Sequence, residues 1–340
     1  MQQFACVILA AGKGKRMKSQ NTKVLHSLCG KPMLFYVLKL SKKIKTCKTV
    51  LVVGKQRETV MDKFKEWNVS FVHQDRTLGT GDAVLRTKEI LKSVHADVIV
   101  LAGDTPLLKE KTIEKMMKLH SSNHSDITLL STFLEEPEGY GRILRKGNKV
   151  VGIVEEKDAT EKERSIKEIN AGVYIFNKDK LFHYLKEIKP DNIQKEYYLT
   201  DVVRLIQKEY GDIQVVTTDD WKETIGINDR WTLSQVSKII EERIMKELMK
   251  DGVTFVSPDA TSIDYGVKIG KDTVIKPFVL ITGETVIGEN CTIYSHSSIN
   301  NAIIGKNVEI NENCLISRAH ITDNTIIPPY SIIRDEKKKK

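Results

Sequence analysis

The sequence predicts an α/β protein in two parts: a Rossmann-like, doubly wound mixed sheet, followed by a C-terminal left-handed parallel β-helix of hexapeptide repeats. Three observations carry this reading. Apolar runs alternate with amphipathic segments in the N-terminal part, a glycine-rich loop follows the first apolar run, and isoleucine recurs every six residues towards the C-terminus.

In chain order, Phe4 to Ala10, Thr49 to Val53, Ser70 to His73 and Asp97 to Ala102 are apolar runs of strand length. Between them, Pro32 to Leu40 and Asp82 to Leu91 carry apolar residues at helical spacing. Strand, helix and strand in alternation is the pattern of a largely parallel sheet covered on both faces. Past residue 125 the runs shorten to Ile127–Phe133, Gly141–Leu144, Val150–Glu155 and Gly172–Phe176, which predicts an inserted or edge β-region. Trp231, Val236, Ile239, Ile240, Ile244 and Leu248 then recur at helical spacing, and Gly252 supplies a stop, so one connecting helix is expected.

Isoleucine occupies positions 263, 269, 275, 281, 287, 293 and 299, then 304, 310 and 316, then 321, 327 and 333. A period of six is neither a helix face nor a flat strand. It fits a triangular coil in which each face buries one aliphatic residue, with roughly eighteen residues per coil and about four coils. Thr273, Val279, Thr285, Cys291, Ser297 and Cys314 follow many of these isoleucines by four positions and are expected at interior corners. Cys291 and Cys314 are therefore read as core atoms. His320 is expected at an interior-corner phase and His296 on a face beside Ser295 and Ser297. The expected division is 1–229, 230–252 for the linker helix, 253–333 for the β-helix, and a lysine-rich tail at 334–340.

Composition narrows the class of function. A chain of 340 residues suggests about two domains. No apolar run approaches the roughly 20 residues that cross a bilayer, so no membrane span is expected. No basic N-terminal region or small-residue cleavage site marks an export signal. Five cysteines form no CxxC pair and leave one unmatched, which fits reduced thiols in a cytoplasm. The net charge of +9 and the terminal run Lys337 to Lys340 invite a nucleic-acid reading. The basic residues are scattered, however, and no aromatic-rich RNA motif accompanies them. The charge suits an anionic small substrate instead, and no nucleic-acid partner is expected.

The first strand runs into Leu9-Ala10-Ala11-Gly12-Lys13-Gly14-Lys15-Arg16-Met17. Such a loop can bring main-chain N–H groups against phosphates, and small alanines let a base or ribose approach. A dinucleotide fingerprint would need glycine where Met17 stands, and a Walker A loop would need Gly-Lys-Ser/Thr. Taken alone, a GxG after a strand is equally a tight turn. Arg16 and Lys23 bracket the loop, where two cations could neutralise a triphosphate and the charge that develops during transfer. Asp104 follows a strand end and Asn228 precedes the linker helix. Singly, these fit a turn aspartate and a helix-capping asparagine.

The loop, with Lys23-Val24-Leu25-His26 and Gly30-Lys31-Pro32-Met33, resembles the sugar-nucleotide pyrophosphorylases. The resemblance is greatest to the uridylyltransferase half of the bifunctional N-acetylglucosamine-1-phosphate uridylyltransferase/glucosamine-1-phosphate acetyltransferase family. It continues in order through Gln74, Leu78-Gly79-Thr80-Gly81, Gly103-Asp104-Thr105-Pro106-Leu107, Gly139-Tyr140-Gly141-Arg142-Ile143, Gly152 to Ala159, Glu168 to Gly172, Glu196 to Asp201 and Gly226-Ile227-Asn228. It covers the first domain and the beginning of the β-helix.

The resemblance implies a nucleotidyltransferase fold and transfer of UMP from UTP to N-acetylglucosamine 1-phosphate, a step towards peptidoglycan. It implies Mg²⁺ held by Asp104 and Asn228, with Arg16, Lys23 and Asp104 as the catalytic set. It places the nucleotide on Leu9, Ala10, Ala11, Gly12, Gly14, Lys23, Gln74, Gly79, Thr80 and Gly103, and the sugar on Gly141, Glu155, Asn170 and Asn228. It also implies a trimer formed through the β-helix. The family's acetyltransferase residues lie in later coils, and none of their motifs is visible, so acetyl transfer is not expected. One departure is Ala102, where relatives often carry an aromatic residue before Gly-Asp. Two other readings stay open: the same chemistry with dTTP and glucose 1-phosphate, and a non-catalytic sugar-nucleotide sensor.

Overall fold

The computed structural model describes residues 2–334, and the lysine run at 337–340 lies outside them. The chain divides into two compact units. The first comprises the residues up to His26 and Pro32–Arg230; the second comprises Ser27–Lys31 and the chain from Trp231 onward.

The first unit is built on a nine-stranded sheet. Its strands are β1 (Phe4–Ala10), β2 (Lys48–Val53), β3 (Ser70–His73), β4 (Asp97–Ala102), β5 (Ile127–Phe133), β6 (Arg142–Lys146), β7 (Lys149–Val154), β8 (Glu168–Phe176) and β9 (Ile213–Thr217). The order is β9-β5-β8-β4-β1-β2-β3, with β6 paired to β8 and β7. β1 runs parallel to both β2 and β4, while β8 is antiparallel to β4 and β5, so the sheet is mixed. β1, β2 and β4 are buried nearly throughout, because helices cover both faces and a continuous apolar run is the only pattern that suits two covered faces. Two apolar clusters result, one on each face.

From β1 the chain steps to β2 and β3 on one side, then returns to place β4 on the other. The reversal opens a crevice at the carboxyl ends of β1 and β4, where open α/β sheets bind ligands. One helix differs from expectation. Asp82 to Leu91 is not continuous but splits into Thr80–Leu85 and Lys88–Leu91. Thr87 is fully buried, and its hydroxyl donates to the Val84 carbonyl (2.7 Å), a local bond that competes with helix propagation.

β8 carries the irregularity that matters for the site. Between Asn170 and Tyr174 the pairing with β5 slips, so that four steps along β8 match two along its partner. Gly172 takes φ +71° inside this bulge, a left-handed conformation that a side chain would strain.

In the second unit, helix Arg230–Lys250 leads into a parallel β-helix of three short-stranded sheets. Isoleucine stacks on isoleucine from coil to coil, as in Ile263↔Ile281↔Ile299↔Ile316↔Ile333. The five-residue steps in the sequence shorten later coils by one residue without breaking this register, as in Ile287↔Ile304. Thr273, Val279, Thr285, Cys291, Ser297 and Cys314 are all buried. The corners use single left-handed residues, many of them asparagine, which tolerates that conformation. Asn290, Asn307 and Asn324 form an amide ladder up one corner (2.8 and 2.9 Å).

The two histidines fall at other phases than expected. His320 is exposed on a strand paired with Ile303, not at an interior corner. His296 occupies an exposed left-handed corner (φ +63°) and stacks on Phe278, with centroids 5.0 Å apart. The five-residue step from Ile316 to Ile321 places His320 directly before the buried isoleucine, on the outward position that Ile303 holds one coil earlier, and the single left-handed residue at the corner is His296 itself. Among the described residues no helix is long and apolar enough to cross a membrane.

Candidate active site

The loop after β1 folds as an irregular turn entering a short 3-10 helix, Lys15–Met17. Met17 is buried and anchors the loop, and its carbonyl accepts from Arg230 Nε (3.3 Å). Gly14 sits at φ +56°, and a Cβ there would lie 2.8 Å from Lys23 Cβ. Glycine at this position therefore serves the turn and also lets the lysine stem pass beneath the loop.

β4 ends beside β1, with Leu9 opposite Ala102. The Gly103 N–H donates to the Leu9 carbonyl (2.9 Å), which closes the strand end against the loop. The Asp104 carbonyl accepts from the Ile227 N–H (2.9 Å), and this bond brings Asn228 alongside Asp104 from more than a hundred residues away in sequence.

Lys23 joins the three. Its ammonium contacts Asp104 Oδ2 and donates to Asn228 Oδ1 (2.8 Å). The contact is sheltered, with 11% of the Lys23 side chain and 25% of the Asp104 side chain exposed. A hollow of about 170 Å³ here is lined by Leu9, Ala10, Gly12, Gly14, Arg16, Lys23, Asp104 and Asn228, with Lys15 and Val24. Of the expected nucleotide, catalytic and metal residues, the fold thus gathers these eight at one place.

Two oxygen donors already converge on a cation, and both are hard ligands of the kind that bind Mg²⁺ through one or two protein groups plus phosphates and waters. Among the described residues no group of three or more His, Cys, Asp or Glu could hold a metal, so the donor set fits an ion shared with a substrate rather than a protein cage.

Apart from Gly103 at the strand end and Ala11 within the loop, the remaining expected residues lie elsewhere on the first unit. Gln74 is buried at 3% exposure, not exposed as a turn glutamine would be, and its amide nitrogen donates to the Gly79 carbonyl (2.9 Å) and Asp82 Oδ2 (2.8 Å). Tyr197 holds the Gly79-Thr80-Gly81 turn through two main-chain bonds, with the Leu78 carbonyl (2.7 Å) and the Gly81 N–H (2.8 Å). The Thr80 hydroxyl accepts from the Leu199 N–H (3.0 Å). Ala11 is partly buried behind its loop, against Gly54.

Among the residues expected to meet the sugar, a Cβ on Gly141 would lie 3.4 Å from Glu155 Oε2. The Gly141 carbonyl accepts from the Asn170 N–H (2.9 Å), so these residues are mutual neighbours. The bulge in β8 turns Asn170 so that its amide donates to the Tyr174 hydroxyl (2.6 Å) and accepts from the Gly172 N–H (3.2 Å). Glu155 lines a second hollow of about 590 Å³ with Asp158, Thr200 and Asp201, and accepts from the Thr200 hydroxyl (2.9 Å).

Burial pushes the Glu155 carboxyl above its ordinary pKa; the Thr200 hydroxyl works the other way, and Asp158 and Asp201 add to the rise. The fold therefore favours the protonated form, a stabilisation present in acid and lost as pH rises through the raised value. Glu155→Gln is accordingly expected to melt above the parent protein near neutrality, with the gap closing below a pH of about 4. Thermal melts across that range check it, and a parent protein more stable than the variant at neutral pH would contradict the sign.

Sequence reasoning missed Arg230, Tyr197, Thr200 and Tyr174. Each supports a site residue through a bond set by tertiary packing; Tyr197 and Thr200 stand in the 196–201 segment of the resemblance but carry no assigned role there, while Arg230 and Tyr174 have no residue type or spacing that marks them out.

Main-chain amides, the cations of Arg16 and Lys23 and a single carboxylate meet at the switch point of a mixed α/β sheet, and the class of protein with this fold is the nucleotidyltransferases. A nucleotidyl transferase family model matches residues 5–242, and a bacterial transferase hexapeptide model of six repeats matches 266–301. The chain is 41% identical over 337 residues to the bifunctional protein GlmU of Listeria monocytogenes serovar 1/2a, covering 99% of this chain and 73% of that protein. It is 42% identical, at the same coverage, to the bifunctional protein GlmU of Listeria welshimeri, and 41% identical over 333 residues to that of Clostridium botulinum strain 657. A crystal structure named as a glucose-1-phosphate thymidylyltransferase of Bacillus anthracis shares the fold, with a TM-score of 0.58, 20% identity, and coverage of 69% of this chain and 94% of that one. The chain belongs to the nucleotidyl transferase family, in its branch of bifunctional GlmU proteins.

Proposed function

We propose that this protein forms UDP-N-acetylglucosamine and pyrophosphate from UTP and N-acetylglucosamine 1-phosphate. The observation that carries this reading is the convergence of Lys23, Asp104 and Asn228 under the glycine loop, in a chain aligned over 99% of its length with GlmU proteins. A sugar phosphate oxygen attacks the α-phosphorus in line, a new P–O bond forms, and the bond to the β-phosphate breaks as pyrophosphate leaves with the electron pair. The attacking group is already an anion, so no side-chain nucleophile is needed. The protein supplies positioning and charge neutralisation.

The amides of the loop from Leu9 to Gly14 and the cations of Arg16 and Lys23 hold the triphosphate. Gln74, Gly79, Thr80 and Gly103 take the base and ribose; Gly141, Glu155, Asn170 and Asn228 take the sugar. Asp104 and Asn228 would hold a divalent cation, assigned as Mg²⁺, which neutralises phosphate charge when bound.

Three finer points belong to the same reading. The β-helix carries apolar side chains on its outside, among them Leu280, Ile303, Ile326 and Ile332, which suits assembly through this unit into a homotrimer. His296, at an exposed corner, and His320, on an outer strand face, are read as surface residues, so acetyl transfer is not assigned to them. All five cysteines are free thiols, which suits a cytoplasmic protein.

Incubation with UTP or dTTP, Mg²⁺ and a panel of sugar 1-phosphates, with and without acetyl-CoA, tests the assignment. Pyrophosphate release is expected with UTP and N-acetylglucosamine 1-phosphate. Preference for dTTP and glucose 1-phosphate would overturn the substrate assignment, and absence of turnover with every pair would favour a sensor.

A further inference from the structure

Arg142 is the largest of the fully buried side chains, at 2% exposure. A buried guanidinium is costly unless every face of it is engaged, and here the partners are specific. Its Nη1 donates to the Tyr140 carbonyl. Nε and Nη2 both reach the Arg164 carbonyl (3.3 Å each), and Nη2 also pairs with Glu156 Oε2 (2.7 Å). The same carboxylate oxygen accepts from the Gly139 N–H (3.3 Å). One ion pair therefore grips the Gly139-Tyr140-Gly141 turn at two main-chain points, a carbonyl through Arg142 and an amide through Glu156.

The turn has two ends that face chemistry. Gly141 is bonded to Asn170 and lies against Glu155, the residues assigned to the sugar. The Tyr140 phenol meets the main chain at Gly226, two residues from Asn228, and lies within the field of Asp104. The turn thus straps the sugar side to the phosphate side, and its own hydrogen bond, from the Tyr140 N–H to the Pro137 carbonyl at 3.3 Å, is long.

We infer that Arg142, paired with Glu156, is a positioning residue for the sugar 1-phosphate: it fixes the 139–141 turn so that the Gly141 main chain and Tyr140 are presented to that substrate. The inference rests on the proposed sugar assignment. Arginine is needed rather than lysine because three separately placed acceptors are served by one planar fork.

The test measures KM for each substrate separately in the full chain, with Arg142→Lys and Glu156→Gln beside the parent. Loss of one well-placed polar contact predicts a KM for the sugar phosphate raised about tenfold or more in Arg142→Lys and less in Glu156→Gln. KM for UTP should stay within about twofold, because the nucleotide loop is not gripped by this pair. A purely structural role would lower the active fraction, reducing kcat while leaving both KM values alone, and that result would overturn the inference. An equal rise in both KM values would do the same. If Arg142→Lys fails to fold, Glu156→Gln decides alone, since Glu156 is partly exposed and its amide keeps an acceptor for the guanidinium. Failure of the parent protein to use any sugar 1-phosphate would instead strike the substrate assignment and take this inference with it, so the two failures are distinct.

Discussion

Replacing Asp104 with alanine is expected to lower metal-dependent pyrophosphate release by about a thousandfold or more, a barrier increase of roughly 4 kcal/mol. Three constraints fix this carboxylate: the end of β4, the Gly103 bond to Leu9, and the Ile227 bond to its own carbonyl. Its oxygen neighbour at the site is the neutral amide of Asn228. Among the described residues no acidic cluster stands by to take over an ion, so the loss of its charge is not compensated locally. Asp104→Asn, which keeps the shape and removes the charge, should fall nearly as far. A rate for the alanine variant within about tenfold of the parent, measured by pyrophosphate release at saturating Mg²⁺, would remove Asp104 from the mechanism.

Lys23→Ala is the second large effect, expected to cost about 2 to 4 kcal/mol of barrier. The Lys23 ammonium lies between Asp104 and Asn228, the two residues assigned to the metal. It can leave them for a triphosphate because its four-carbon stem is flexible and runs under Gly14. Removing it therefore acts twice. The phosphates lose a cation, which lowers kcat. The Asp104 carboxylate also loses its resident partner, so divalent ions should bind the nucleotide-free variant more tightly than the parent. Rate measurement and a Mn²⁺ titration without nucleotide separate the two. A rate within about twofold of the parent would argue against a role in transfer, and unchanged Mn²⁺ binding would argue against the resident-cation role alone.

Much of the site was legible as motif. The loop from Leu9 to Met17 announced itself through glycine spacing after an apolar run, and Asp104 through its place after another. Gln74 was legible as a position but not as an environment. A polar residue before a glycine turn reads as exposed, and only the packing of Asp82 and Gly79 around its amide shows that it is held inside. Arg142 stands within a motif whose spacing assigns it no role, because what makes an arginine buried is the set of carbonyls folded around it. The apolar spacing of 82–91 predicts one continuous helix; the Thr87 hydroxyl bond to Val84 breaks the run.

By itself, the sequence determined the class of architecture, because periodicity is a local property: alternating apolar runs specify covered strands, and isoleucine every six residues specifies a coil that buries one side chain per face. Tertiary structure alone decided which side chains meet. Lys23, Asp104 and Asn228 are separated by 81 and 124 positions, and a main-chain bond from Ile227 to Asp104 brings the last two together. It also decided that Arg142 and Glu156 hold the 139–141 turn and that His320 faces outward. Contacts of this kind depend on the register of distant strands and on which charges must be paired once buried, and neither is encoded at any spacing along the chain.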